Sequence, residues 1–210
     1  MAKVLHIQTS PRSGQSYSIQ VAQAFLDSYR QMHTGDAVET LDLATADLPA
    51  FDAPAAKAKY AVMGGQAPTG DAERKWAAII KIIDHLKSAD KLVLSSPMWN
   101  FGVPYRLKQY VDLITQPGLA FTVEKDGSYR GLITGRPALL VLARGGAYPA
   151  GSPMAAYDMQ KPYLEGILRF IGFTDIRTIV IEPTLNSGPE VARQKADAAF
   201  AEARRAAADF

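Results

Sequence analysis

"KLVLSSPMWNFGVPYRLKQYVD", Lys91 to Asp112, decides the fold. Lys91–Ser96 is a short apolar run, the pattern of a strand buried on both faces. From about Val103 to Ile114 apolar residues recur at helical spacing, and Pro104 stands just inside the helix start, where its missing N–H costs nothing. Between strand and helix lie Pro97, Met98, Trp99, Asn100 and Phe101. Aromatic clusters ordinarily close the core beneath a loop. Here they sit where a strand ends and a crevice begins, which also suits a flat ligand.

The same alternation extends in both directions. "KVLHIQ" (Lys3–Gln8) reads as a first strand, and Ser16–Met32 as a helix with Ile19, Ala22, Phe25, Leu26 and Tyr29 on one face. "AVETLDL" (Ala37–Leu43) is a second strand. Ala44–Gly70 is a long Ala-, Gly- and Pro-rich connection with a helical piece around Ala55–Met63. Asp71 is placed to cap a helix over Ala72–Ser88. Beyond the opening segment, "EKDGSY" within Gly118–Thr134 signals a hairpin insertion. "RPALLVLA" (Arg136–Ala143) is a fourth major strand, Tyr157–Ile171 a helix ending at Gly172, "DIRTIVIE" (Asp175–Glu182) a fifth strand, and Pro189–Ala208 a closing helix. Five strands separated mostly by helices predict one α/β domain over residues 1–210. Its expected form is a five-stranded parallel sheet in flavodoxin-like order, with helices on both faces.

Composition narrows the chemistry. The chain has 210 residues, 48% of them hydrophobic, and no cysteine. Disulfides, thiol nucleophiles and Cys-bound metals are therefore excluded. His6, His33 and His85 lack metal-ligand spacing, so redox chemistry here needs an organic cofactor. Twenty-three basic residues against 21 acidic give a net charge of +2, which makes no case for nucleic acid or membrane surfaces. The longest apolar run is too short to span a bilayer, and a strand pattern beginning at Lys3 leaves no room for a signal peptide. The expected compartment is the cytoplasm.

In open α/β sheets, ligands bind beyond the carboxyl ends of the strands. Three loops matter there. "TSPRSGQSYS" offers the hydroxyls of Ser10, Ser16 and Ser18, the cation of Arg12, and a helix start with unpaired N–H groups, a setting that suits a phosphate monoester. An ordinary serine-rich helix cap reads equally well. In "SPMWNFGVP" the N–H groups from Met98 to Gly102 have no obvious partner and are available to the edge of a planar heterocycle. Trp99 and Phe101 are placed to pack on its faces, and Asn100 supplies both a donor and an acceptor. In "ARGGAYP", Gly145 and Gly146 allow close backbone approach, Arg144 supplies a cation near an electron-rich ring, and Tyr148 stacks or hydrogen-bonds. A plain glycine turn is the alternative.

Together these stretches resemble the FMN-dependent NADH-azoreductase family of flavodoxin-like NAD(P)H:quinone oxidoreductases. "PMWNFGVPYRLKQYVD" is the most specific piece, and "KVLHIQTSPR", "RGGAY" and "RFIGFTDI" follow in matching order. The resemblance implies that Ser10, Ser16, Tyr17 and Ser18 hold an FMN phosphate. It implies that Pro97, Met98, Trp99, Asn100 and Phe101 line the isoalloxazine, with Ala143, Arg144, Gly145, Gly146 and Tyr148 closing the other side. The family often has Ser before "RGG", where this chain has Ala143, and Trp99 replaces a common Tyr. The implied activity is ping-pong transfer of two electrons from NADH or NADPH through FMN to quinones or aromatic azo compounds. No side chain is obligatory for it, and the protons for the reduced acceptor come either from water or from Tyr148. A homodimer with sites at the interface is implied, with Ala44–Gly70 and Gly118–Thr134 as candidates for lining the neighbour's site. Phe121 and Phe170 are either acceptor-stacking or packing residues. An FMN-binding electron carrier without nicotinamide turnover is the rival; such carriers tend to be acidic, unlike this chain. A hydrolase is disfavoured by the lack of a G-x-S-x-G elbow and of any histidine beyond His85.

Overall fold

The computed structural model describes residues 1–210. Five parallel strands run in the order β2-β1-β3-β6-β7. They are β1 (Lys3–Gln8), β2 (Ala37–Asp42), β3 (Lys91–Pro97), β6 (Pro137–Ala143) and β7 (Asp175–Ile181). This is the flavodoxin-like order expected from the sequence. β4 (Phe121–Val123) and β5 (Tyr129–Gly131) form the separate antiparallel hairpin.

Period-two alternation sends strand side chains to two cores. Ala138, Leu140 and Leu142 of β6 face one way, with Leu5, Ile7, Leu92 and Leu94. They pack against α2 (Ala53–Met63), α3 (Asp71–Lys87), α4 (Tyr105–Ile114) and α5 (Lys161–Ile171). Leu139, Val141 and Ala143 face the other way, against α1 (Tyr17–Met32) and α6 (Gly188–Ala206). Because both faces are covered, the central strands read as continuous apolar runs. Each fully buried Leu or Ile contributes about 1.5–3 kcal/mol relative to exposure.

Several helix starts differ from the sequence reading, each for a local reason. Asp71 lies inside α3, where its charge favours the helix N-terminus. Gly70 is the cap, at φ +64°, a conformation that suits glycine. The helix expected from Tyr157 begins instead at Lys161. Residues Pro153–Tyr157 form a 3-10 turn, and the Asp158 carboxylate then accepts from the N–H groups of Gln160 (3.1 Å) and Lys161 (3.0 Å). That cap, with Pro162 in the first turn, fixes the start.

The hairpin docks at the carboxyl end of α5, at the amino-terminal edge of the sheet. A Cβ on Gly131 would fall 2.3 Å from the Gly172 nitrogen, so only glycine permits this approach. The Phe121 and Phe170 ring centroids are 4.7 Å apart, and Tyr129 joins them at 5.9 and 5.4 Å. Within one chain these rings pack on each other, across the sheet from the carboxyl-edge loops.

Candidate functional site

Three loops expected to meet at the carboxyl edge do meet there. Ser10, Arg12, Ser16, Tyr17, Pro97, Met98, Trp99, Ala143 and Gly145 line a cleft of about 210 Å³. Thr184 and Leu185, from the loop after β7, complete it. Sequence reasoning missed this fourth loop, although Pro183 after a strand was a legible turn signal. Trp99 also belongs to a larger adjoining cleft of about 620 Å³, with Asn100, Phe51, Val103, Tyr105 and Gln109.

The first wall is the start of α1. Ser16 is the N-cap residue, yet its side chain caps nothing; its Oγ lies 3.1 Å from Ser18 Oγ. The first backbone bond of the helix runs from the Gln20 N–H to the Ser16 carbonyl. The N–H groups of Tyr17, Ser18 and Ile19 therefore lack protein acceptors, while Ser10, Ser16 and Ser18 are all buried. A buried helix start with unmatched donors calls for an anion. Arg12 lines the same cleft with no carboxylate partner. Ser18 itself lies beneath the cleft rather than on it.

Beneath this loop His6 is fully buried, with Nε2 3.0 Å from Ser95 Oγ and Nδ1 unpartnered. Burial, helped by the charge of Arg30, holds its pKa down to about 4, so the imidazole is neutral. The Ser95 carbonyl accepts from both the N–H (3.2 Å) and the hydroxyl (3.1 Å) of Thr9, joining the ends of β1 and β3.

The second wall is the aromatic loop, where the expected row of free N–H groups is shorter than anticipated. Met98 N–H donates to the Ala143 carbonyl at 2.8 Å. Trp99 and Gly102 exchange N–H···O bonds of 3.1 and 2.9 Å. Only Asn100 and Phe101 keep unpaired N–H groups, because they are the central residues of a tight turn, at φ 48° and 69°. The Phe101 ring is 40% exposed and leans on neighbouring tyrosines. Its ring centroid lies 5.1 Å from that of Tyr157 and 6.3 Å from that of Tyr148. Trp99 is 39% exposed, so its indole does not disappear into the core.

The third wall changes most. Arg144 was expected to place a cation near an electron-rich ring. Its guanidinium lies 5.8 Å from the centroid of the Tyr148 ring and is 2% exposed, with Nη1 3.2 Å from Glu182 Oε2 and Nη2 2.9 Å from Asp158 Oδ2. The latter contact is off the N–H axis, so it is an ion pair rather than a hydrogen bond. Nε donates to Gln160 Oε1 at 3.2 Å. Gly145 and Gly146 approach the loop after β7: a Cβ on Gly145 would meet Leu185 Cδ1 at 3.1 Å, and one on Gly146 would meet Asn186 Nδ2 at 3.2 Å. Their missing side chains thus make room for the chain itself. Tyr148 is half-buried; its N–H donates to Glu182 Oε2 at 3.1 Å. Asn100, Phe101, Arg144, Gly146 and Tyr148 do not line the smaller cleft; Asn100 lines the larger one, and Arg144 and Tyr148 line a separate cleft with Asp158 and Glu182. No cluster of three or more His, Asp or Glu side chains is arranged to hold a metal ion.

A parallel sheet in this order, with an anion cradle and an aromatic loop at its carboxyl edge, defines a flavodoxin-like nucleotide-cofactor protein. The flavodoxin-like fold model matches residues 2–207. The chain is 50% identical, over all 210 residues and all of the relative, to an FMN-dependent NADH:quinone oxidoreductase of Nitratidesulfovibrio vulgaris strain DP4. It is 41% identical to a Pseudomonas fluorescens protein called FMN-dependent NADH:quinone oxidoreductase 3, covering 97% of this chain and 95% of that one. An azoreductase crystal structure from Bacillus anthracis strain Sterne superposes with a TM-score of 0.91 at 31% identity, with both chains fully covered. An FMN-dependent NADH-azoreductase from Bacillus anthracis strain Ames Ancestor, crystallised with FMN, gives 0.88 at 27% identity, covering 100% and 99%. The chain belongs to the family of flavodoxin-like FMN-dependent NADH:quinone oxidoreductases and is an enzyme.

Proposed function

We propose that this chain binds FMN in the carboxyl-edge crevice and uses it to reduce quinones, and to cleave aromatic azo bonds to amines, at the expense of NADH or NADPH. The observation that carries the reading is the buried start of α1, whose unmatched N–H groups and serine hydroxyls lie beside the unpaired Arg12. That donor set fits a phosphate monoester. Ser10, Ser16 and Tyr17 would hold the phosphate, with Ser18 bracing Ser16 from below. The free N–H groups of Asn100 and Phe101 suit the polar edge of a flat heterocycle. Pro97, Met98 and Trp99 on one side and Ala143 and Gly145 on the other would flank the flat ring.

When bound, FMN would supply the two-electron redox chemistry between nicotinamide and acceptor. The protein's part is to hold both flat partners parallel in turn and to exclude water from the crevice. Tyr148, whose hydroxyl makes no hydrogen bond to the protein, is free to pass a proton to a reduced acceptor at the rim.

Trp99, Phe101, Tyr105, Met154, Tyr157, Met159 and Leu185 are all exposed around the crevice. Apolar exposure of this density favours a homodimer with the sites at its interface. No helix is long and apolar enough to cross a membrane, and the chain lacks cysteine, which suits a reducing cytoplasm.

The test is an absorbance spectrum with added FMN, followed by steady-state NADH oxidation with menadione and with an azo dye. Flavin uptake with rapid turnover is expected. Flavin uptake with almost no NADH oxidation would make the chain an electron carrier instead.

A further inference from the structure

The loop that carries Gly145 and Gly146 contributes to one wall of the crevice, and it is tied to its neighbours both by its backbone and by the side chain of Arg144. Its guanidinium is buried and reaches three places at once: Glu182 at the end of β7, and Asp158 and Gln160 at the start of α5. Glu182 Oε2 accepts in turn from the Tyr148 N–H, and Gln160 Nε2 donates to the Ser96 carbonyl of β3 at 3.4 Å. The backbone repeats the pattern. The Arg144 carbonyl accepts from the N–H and the hydroxyl of Thr184, both at 2.9 Å, and the Gly145 carbonyl accepts from the N–H groups of Leu185 and Asn186 at 3.0 and 3.1 Å.

We propose that Arg144 is a positioning residue of this site: it turns away from the crevice and, bracketed by Asp158 and Glu182, locks the Gly145–Gly146 turn and Tyr148 to the end of β3 and to the loop after β7. The inference rests on reading the crevice as the FMN site. A planar guanidinium suits the task because its donors leave in fixed directions toward several acceptors, which an ammonium cannot match. Groups that orient a binding wall must themselves be held, and a buried, multiply bonded cation holds them without touching the ligand. Glu182 and Asp158 are then the two halves of the bracket, and exchanging either for its amide removes charge while keeping shape.

The experiment titrates the flavin-free protein with FMN and, separately, with riboflavin, for the wild type and for Arg144→Lys, Glu182→Gln and Asp158→Asn. Ligand-free melting and the visible spectrum of bound flavin are recorded alongside. The clamp sets the ring-side wall, so Arg144→Lys and Glu182→Gln should weaken both ligands by the same factor, on the order of ten-fold for loss of a charge-assisted contact. They should also shift the bound-flavin spectrum. Asp158→Asn, whose contact is an unaligned ion pair, should do the same to a smaller extent and serves if the other variants do not fold. Loss confined to FMN would place Arg144 on the phosphate and overturn the proposal. Lower melting points with unchanged affinity and spectrum in the folded protein would also overturn it, leaving a purely structural ion cluster. If the wild type takes up neither flavin, the reading of the crevice fails, and the clamp falls with it.

Discussion

Phe101 holds φ at 69°, a region that costs an L-residue about 1–2 kcal/mol. A turn with positive φ at both central positions is normally built from Asn-Gly. Here the pair is Asn100-Phe101, held by the two hydrogen bonds between Trp99 and Gly102 and by the Met159 N–H donating to the Phe101 carbonyl at 3.0 Å. Substituting Phe101 by Ala and by Gly separates the strain from the side chain. Both variants lose the ring's packing on Tyr157 and Tyr148, a loss common to the two. Ala keeps the strain, whereas Gly relieves it but loses roughly 0.5–1 kcal/mol of backbone entropy. The net preference is for Gly over Ala by about 0.5–1 kcal/mol, the reverse of the order at an ordinary position. For a chain of this size that is a gap of roughly 1–4 °C in melting temperature. Melting of the ligand-free variants followed by circular dichroism, with urea titration beside it, measures the gap. If Phe101→Ala is as stable as Phe101→Gly, the turn is not strained as argued. Both variants should also bind FMN more weakly, since the ring braces the loop.

Three further outcomes follow from the geometry. Gly131→Ala should cost more than about 3 kcal/mol, because its Cβ would collide with backbone at Gly172 rather than with a movable side chain; urea unfolding reads this directly. His6 has a folded pKa of about 4 against an ordinary 6.5, so below 6.5 the unfolded chain takes up a proton that the native one refuses. Stability from this group is fully present above pH 6.5 and falls by roughly 2 kcal/mol on acidification to about pH 5, and His6→Gln should flatten that part of the urea-measured profile. Arg12→Gln should weaken FMN several-fold at low salt, less at high salt, and leave riboflavin unchanged in a fluorescence titration, because the only difference between the ligands is the phosphate.

The strands were legible because a doubly covered sheet imposes long apolar runs. Leu139–Leu142 admits few other readings, and Lys3–Gln8 was bounded without error. Helix starts were harder, because a carboxylate near a helix start can cap it or sit in its first turn; Asp71 does the second and Asp158 the first. At the site, the loops after β1, β3 and β6 were found by position alone. The ion pairs of Arg144 were illegible because a sequence shows that a cation is near a crevice, not which way it points, and its partners Asp158 and Glu182 are distant in the chain. The positive φ at Phe101 was illegible for the opposite reason, since nothing in a bulky aromatic announces a conformation it ordinarily avoids.

The location of function at one edge of the sheet can be argued from the backbone alone. Three non-glycine residues have positive φ: Ser13, Asn100 and Phe101. All three lie in the loops after β1 and β3, on either side of the same crevice. Side chains of Asp52 and Asp158 serve the starts of α2 and α5, whereas α1, α3, α4 and α6 have no side-chain cap; the start of α1 differs in that its serines, Ser16 and Ser18, are buried. Local rules of propensity and hydrogen bonding ordinarily agree with the fold, and departures concentrate where function requires them. The opposite edge has the contrary character. There Gly131 meets Gly172 at a spacing only glycine allows, and Phe121, Tyr129 and Phe170 fill one another's surfaces. Strain and unmatched donors at one edge, against ordinary close packing at the other, mark where a ligand must complete the structure. A ligand that did so would stabilise the native state by mass action, so adding FMN should raise the melting temperature while an equal concentration of free adenine should not. Equal stabilisation by both, or by neither, would break the link between the unmatched donors and a phosphate-bearing planar ligand.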